Sequence, residues 1–231
     1  MSGERPRKGE IRPIYAHRRL KAIAARWDAR ADSWDHALKD SACHLNADNA
    51  YGRFTCVVQR LIAKREKFCA SHGIIDAGCG TGLVLAELSS AFAWAIGIDI
   101  SPMMIRAART KRLARTKFIV GDCFDLPALC PKAGAVVSRG VLLSHYGRKQ
   151  GEAILHAARS SLVPGGFLVF DFLNETARTK YGRAPESKTW FTSEEVESMA
   201  RRAGFSKVTI LGKPNRRALL LLAENLSGPV E

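Results

Sequence analysis

The sequence predicts a doubly wound α/β fold: a seven-stranded, mostly parallel sheet ending in an antiparallel hairpin, with an N-terminal helical cap. Three observations lead there. Ile74-Ile-Asp-Ala-Gly-Cys-Gly-Thr-Gly82 reads as a buried strand running into a glycine turn, and residues 83–88 then open a helix. Asp99 closes a second apolar run, Trp94-Ala-Ile-Gly-Ile-Asp99, about 20 residues past the turn, where a carboxylate can accept hydrogen bonds from a ribose. Beyond it strand and helix alternate with short links, as a parallel sheet requires.

The elements follow in order. Residues 1–13, charged and carrying Gly3, Gly9, Pro6 and Pro13, read as a disordered basic tail. Residues 14–40 read as helix, because Ile14, Leu20, Ile23, Trp27 and Trp34 recur at helical spacings. Tyr51, Phe54, Val57, Val58, Leu61 and Ile62 mark another helix before His72-Gly73. Residues 14–70 are therefore expected as a helical cap and 71–231 as the sheet domain. Strands are expected near 73–77, 94–98, 117–120, 134–139, 166–172, 206–212 and 217–224, and helices near 83–92, 102–113, 149–162 and 193–203. No helix separates the last two strands; Gly212-Lys-Pro-Asn215 reads as a turn. Residues 173–190 form a polar loop with few apolar anchors, near the strand C-termini.

Spacing separates the adenosine-bearing ligands that suit such a turn. A dinucleotide site needs Gly-x-Gly-x-x-Gly, which would put glycine or alanine where Leu83 stands, and a phosphate loop needs a lysine that is absent. Asp76-Ala-Gly78-Cys79-Gly80-Thr-Gly82 instead resembles the first motif of the class I S-adenosylmethionine-dependent methyltransferases, an acidic residue leading three alternating glycines. The acid suits an ammonium-bearing ligand, whereas a pyrophosphate suits a bare helix N-terminus. The resemblance continues over roughly residues 70–225. Gly97-Ile-Asp99-Ile100-Ser101 looks like the ribose motif, with Ser101-Pro102 starting a helix in N-cap order. Phe118-Ile-Val-Gly-Asp122-Cys123 looks like the third strand and its adenine loop, Ala135-Val-Val-Ser138 like the fourth strand, and Leu162-Val-Pro-Gly-Gly166 like the corner before the fifth. One departure is Lys132-Ala-Gly134, where many relatives start the fourth strand with aspartate. The resemblance implies S-adenosyl-L-methionine held by Asp76, Gly78, Cys79, Gly80, Gly82, Asp99, Ile100, Met103, Asp122, Cys123 and Ser138. It also implies N-terminal helices covering that cofactor, with Trp27, Trp34 and Tyr51 either lid residues or core packing.

Composition sets further bounds. The 231 residues suffice for one substantial core. No apolar run approaches a membrane span, and the N-terminus lacks the apolar stretch of a secretory signal. Cysteines at 43, 56, 69, 79, 123 and 130 show no Cys-x-x-Cys spacing, so a metal is unsupported and reduced thiols in a cytoplasmic enzyme are expected. Cys79 stands at a helix N-terminus, which would lower its pKa. The formal net charge of +14 suits an anionic partner, yet it is spread along the chain, as on a solvated surface.

Methyl transfer needs the acceptor held in line with water excluded, and a base only where the acceptor carries a proton. His145 and Tyr146, in the loop after the fourth strand, are the candidate base and orienting group, and Arg139 could hold an anionic acceptor. Asp171 and Asn174 rank behind them. The Asn/Asp-Pro-Pro-Tyr/Phe motif of base-amine methylation is absent, since Ser138-Arg-Gly-Val141 stands there. The expected function is therefore methylation of an oxygen or nitrogen on a small molecule. An RNA-directed enzyme using the basic surface is the alternative, and a cofactor-binding scaffold is a third reading.

Overall fold

The computed structural model describes residues 18–40, 50–140, 142–181 and 188–226. The basic tail over 1–13 and Cys43 lie outside the described residues, as does the side chain of Tyr51. Five strands, β1 (Gly73–Ala77), β2 (Trp94–Asp99), β3 (Thr116–Val120), β4 (Ala133–Ser138) and β5 (Leu162–Leu173), pair in parallel. β6 (Lys207–Leu211) and β7 (Ala218–Glu224) form the hairpin, with β7 antiparallel to β5. The sheet order is β3-β2-β1-β4-β5-β7-β6. The chain reverses direction of growth between β1 and β4, which opens a crevice at their C-terminal ends.

Side-chain alternation divides the core between the two faces of the sheet. Ile75, Ala77, Ile98, Val136 and Phe170 point to one face, with Leu155 of α8 (Arg148–Ser160) and Val196 of α9 (Ser193–Arg202). Ile74, Ala95, Val137 and Val169 point to the other, with Phe54 of α3 (Ala50–Lys64), Leu85 of α5 (Leu83–Leu88) and Ile105 of α6 (Pro102–Thr110). Every residue of β1 and β4 is buried, as strands covered on both faces must be. Ser101 caps α6 by accepting from the Met104 N–H at 3.1 Å, with Pro102 in its first turn.

Several expectations change. The helix read over 14–40 is two helices, α1 (Arg18–Asp28) and α2 (Ala31–Asp40). The break follows from tertiary bonds at the end of α1, where the Asp28 carboxylate accepts from Ser101 Oγ at 2.5 Å and the Met103 N–H at 3.1 Å. A short helix, α4 (Glu66–Ser71), follows α3 without a periodic signal of its own in the sequence. It starts at Arg65, whose guanidinium leaves the surface to donate to the Gly165 carbonyl and to pair with Glu224 of β7. The helix expected over 83–92 ends at Leu88 and tightens into a 3-10 turn over Ser89–Ala91, so that Phe92 turns inward and is buried. A four-residue helix, α7 (Leu126–Leu129), follows the third strand. β5 begins earlier than expected, at Leu162, with a register irregularity opposite Ala133 and Ala135. The loop after β5 is better anchored than its polarity suggests: Glu175–Tyr181 forms a 3-10 helix, and Trp190 and Phe191 are buried.

Candidate active site

The loop after β1 is folded by main-chain bonds. The N–H groups of Gly78 and Cys79 both donate to the Ile98 carbonyl, at 2.7 and 2.9 Å, which draws the turn over the end of β2. Gly78 and Gly80 have φ of +76° and +53°, and a Cβ would clash at neither, its nearest atoms being Leu142 Cδ1 at 3.6 Å and Trp34 Nε1 at 3.8 Å. These two leave main chain bare toward the crevice. Gly82 serves packing instead, because a Cβ there would meet Phe118 at 2.8 Å. Gly82, expected at the cofactor with the other two, lies outside the cavity lining.

Three carboxylates project from the ends of β1, β2 and β3. Asp76 is buried, and neither of its oxygens has a hydrogen-bond partner among the described residues. Burial, and then the nearby Asp99 carboxylate, push it up to about 8. Asp99 is pinned by its Oδ2 accepting from the Gly80 N–H and its Oδ1 from the Ser101 N–H, each at 2.9 Å. Each oxygen keeps a further lone pair for a hydroxyl donor. Asp122 accepts from the Phe124 N–H at 3.1 Å, and burial raises its pKa. Cys79 and Cys123 lie among these acids. Burial, and then the neighbouring carboxylates, push both thiols well above their ordinary range, contrary to the lowering expected of Cys79 at a helix start. An orphaned buried carboxylate beside bare main chain, with a second carboxylate free to accept hydroxyls, fits a ligand that carries both an ammonium group and a ribose.

The cap closes over this half of the crevice. Trp27 and Trp34 meet edge to face with centroids 5.2 Å apart, and both line a cavity of about 610 Å3. Lid and core packing were the alternatives for them; both line the cavity, and neither is among the buried core residues. Asp35 of α2 pairs with Thr81 Oγ1 in the glycine loop and with Lys111 at 2.7 Å. With the Asp28 bonds, this latches both cap helices to the loops after β1 and β2.

The other half of the cavity lies over β4, β5 and β7. Ser138 Oγ donates to the Ala77 carbonyl at 2.6 Å, tying β4 to β1. Asp171 receives the Gly140 N–H at 2.9 Å and so holds the turn that carries Arg139. His145 packs against Trp27 with centroids 5.6 Å apart and meets the Lys188 ammonium, 2.9 Å from its Nδ1. Burial, then the Lys188 charge, lower His145 to about 4, so the ring is neutral at pH 7. Lys188 is itself lowered to about 7 by burial and then by Arg26. It reaches His145 because the Thr189 N–H donates to the Ser144 carbonyl at 2.8 Å. Tyr146 is buried edge to face against Phe124, 5.3 Å between centroids, and lines the cavity. Asn174 lies outside the lining and is structural, donating to the carbonyls of Pro214 and Arg216 at 2.6 and 3.0 Å.

Of the residues expected at a cofactor, Asp76, Gly78, Cys79, Gly80, Asp99, Ile100, Asp122, Cys123 and Ser138 all line the one cavity, as do Arg139, His145 and Tyr146. Gly82 and Met103 do not; Met104, one residue on, takes the place expected of Met103, whose N–H is bound to Asp28. Lys188 lies in the loop over 173–190, which its position near the strand C-termini marks as a wall of the acceptor site, but neither it nor Arg216 and Arg217 is signalled by a local motif. Among the described residues no group of His, Cys, Asp and Glu is arranged to hold a metal ion, and no helix is long and apolar enough to cross a membrane.

Comparison with known proteins agrees with this geometry. Residues 74–166 match the family model described as a methyltransferase domain. The ubiquinone biosynthesis O-methyltransferase of Chromobacterium violaceum is 28% identical over 167 residues, covering 71% of this chain and 70% of that relative. Over these residues the chain is similar to the class I S-adenosylmethionine-dependent methyltransferases. Among solved structures, the chain resembles the magnesium protoporphyrin IX methyltransferase of Synechocystis PCC 6803 with bound S-adenosylmethionine. The TM-score is 0.66 at 20% identity, over 91% of this chain and 99% of that one. It also resembles a sugar N-methyltransferase from Streptoalloteichus sp ATCC 53650, with a TM-score of 0.63 at 20% identity, over 79% and 90% of the two chains. At these identities the two likenesses speak for the methyltransferase fold.

Proposed function

We propose that this methyltransferase transfers its donor's methyl group to an oxygen or nitrogen of a small molecule bound over β4 and β5. The observation that carries the reading is the roofed cavity: the two tryptophans of a latched cap close it to a volume typical of small-ligand sites. The relatives' activities, O-methylation in ubiquinone biosynthesis, methylation of magnesium protoporphyrin IX and N-methylation of a sugar, support a small acceptor. A cytoplasmic setting suits the free thiols Cys79 and Cys123 at the base of the cavity.

In this reading residues 14–70 are the cap and 71–231 the catalytic domain. Asp76 faces the donor's ammonium, Gly78, Cys79 and Gly80 lie along its amino-acid end, Asp99 accepts from its ribose hydroxyls, and Ile100 and Met104 pack beside them. Asp122 accepts from the adenine amino group next to Cys123. Ser138 and Arg139 border the methyl, with Tyr146 beside them. Gly82 and Met103 support the loop from outside. The donor, when bound, supplies a methyl on an activated sulfonium, so the protein's task is alignment and exclusion of water. The neutral ring of His145 is in the right state to take a proton from the acceptor, and Trp27 fixes its plane.

Incubating the protein with methyl-labelled donor and fractionated extract tests the reading. Label is expected in small metabolites. Label in RNA, with binding that weakens steeply as salt rises, would favour the RNA-directed alternative. Donor binding with no label transferred to any fraction would leave a scaffold.

A further inference from the structure

The charges around the cavity do not balance. Its lining carries seven cationic side chains against four carboxylates. Three of the carboxylates, Asp76, Asp99 and Asp122, stand at or just beyond the ends of β1 to β3, on the donor side. Arg139 follows β4 and its charge reaches Asp76, Arg216 and Arg217 precede β7, and Lys188 lies near Arg26, Arg217 and the fourth carboxylate, Asp171 of β5. S-adenosylmethionine brings one carboxylate, balanced by its own ammonium, and a further positive charge on sulfur. It cannot neutralise this cluster.

Some arginines elsewhere on the surface are paired, as in Arg148–Glu195, Arg201–Glu197 and Arg202–Glu152, and others, such as Arg60, Arg106 and Arg112, hold no carboxylate among the described residues. Arg26, Arg216 and Arg217 hold no carboxylate among the described residues. The turn that bears two of them is nevertheless built into the fold. Asn174, 1% exposed, donates through its side chain to the carbonyls of Pro214 and Arg216 and through its N–H to that of Arg217, at 2.6, 3.0 and 2.9 Å. A buried asparagine spent on fixing a cationic turn beside a cavity points to a ligand for that turn.

We infer that the acceptor is a small organic acid, its carboxylate or phosphate groups seated between Lys188, Arg26 and the Arg216–Arg217 turn. The inference rests on the donor site proposed above and names the substrate class of the same cavity. Crowding among Arg26, Arg217 and Lys188 adds to the effect of burial in lowering the lysine. An anion seated there relieves that crowding and screens His145 from the Lys188 charge, letting the imidazole regain basicity when substrate is present. Aromatic walls at Trp27 and Tyr146 suit an acid with a planar body.

The test is calorimetric titration of the protein saturated with S-adenosylhomocysteine, using citrate, pyrophosphate and the neutral triethyl citrate at constant ionic strength. Citrate or pyrophosphate is expected to bind and triethyl citrate not to. The Arg216→Ala/Arg217→Ala double variant should lose at least tenfold in anion affinity while binding S-adenosylhomocysteine as before. Citrate alone binding identifies a carboxylic acid, and pyrophosphate alone a phosphate ester. Failure of both anions, or equal binding by the variant, overturns the inference while leaving the donor site standing. So does an RNA oligonucleotide of about 20 nucleotides that binds more tightly than either anion and is weakened by the same variant. If S-adenosylhomocysteine itself does not bind, the donor site falls, and this inference with it.

Discussion

Replacing Asp76 with asparagine isolates the charge on which donor recognition turns. Asparagine keeps the shape of the side chain and removes only its ability to ionise. With burial and Asp99 pushing Asp76 up to about 8, most of the free protein carries it protonated at pH 7, and ionising it there costs about 1 kcal/mol. The donor's ammonium repays that cost through a charge-assisted hydrogen bond of roughly 1.5–3 kcal/mol. S-adenosylhomocysteine, which retains the ammonium, should therefore bind Asp76→Asn about ten- to a hundredfold more weakly. In the wild type its affinity should climb by up to tenfold per unit between pH 6 and about 7.5, whereas the variant should be flat. Stability runs the other way. The folded pKa lies above the unfolded value, so the unfolded chain releases this proton first and stability falls as pH rises from about 4 to 8. The variant escapes that loss, and denaturant titrations should show it gaining on the wild type across the window. Equal affinity of the two proteins by calorimetry, or a wild-type affinity indifferent to pH, would refute the reasoning.

Three further outcomes follow from other contacts. Asp35→Ala releases α2 from Thr81 and Lys111; donor affinity should fall about threefold to tenfold, with faster hydrogen exchange in α2 and little change in melting temperature. Lys188, faced by Arg26, Arg30, Arg217, Asp171 and His145, is lowered to about 7 by burial first. It loses its charge above that pH, so kcat/KM for an anionic acceptor should decline above about pH 7 in the wild type. That decline should move to higher pH in Lys188→Arg and vanish, at a lower rate throughout, in Lys188→Met. Glu224, against the upward push of burial, is held below the usual carboxylate range by Lys207 and Arg65. Its contribution is present above pH 4.5 and lost as pH falls through the depressed value, so Glu224→Gln should cost about 1–3 kcal/mol by denaturation at pH 7 and much less in acid.

What the sequence discloses and what it hides divides along contact range. The strand, glycine turn and helix over 73–88 and the Ser101-Pro102 helix start are local devices, and each is found where spacing puts it. The sheet order adds only the rule that parallel strands connect through helices. The break in the cap is invisible, because it depends on Asp28 meeting Ser101, 73 residues away. Lys188 meets His145 across 43 residues from a loop whose polarity hides the buried Trp190 and Phe191 that bring it back. Gly82 looks like its two neighbours in the motif, yet Phe118 of β3 decides its role. For Cys79 the local reading gives the wrong sign. A helix start lowers a thiol pKa, but burial beside Asp76 and Asp99 raises it further, and neither acid's proximity is written in the residues around the cysteine.

A crystal structure of the protein with S-adenosylhomocysteine tests the central claim most directly. The amino group should lie within about 3.2 Å of an Asp76 oxygen, both ribose hydroxyls against Asp99, and the adenine amino group beside Asp122. A ligand bound with its ribose away from Asp99, or with Asp76 still lacking a partner, would contradict the account.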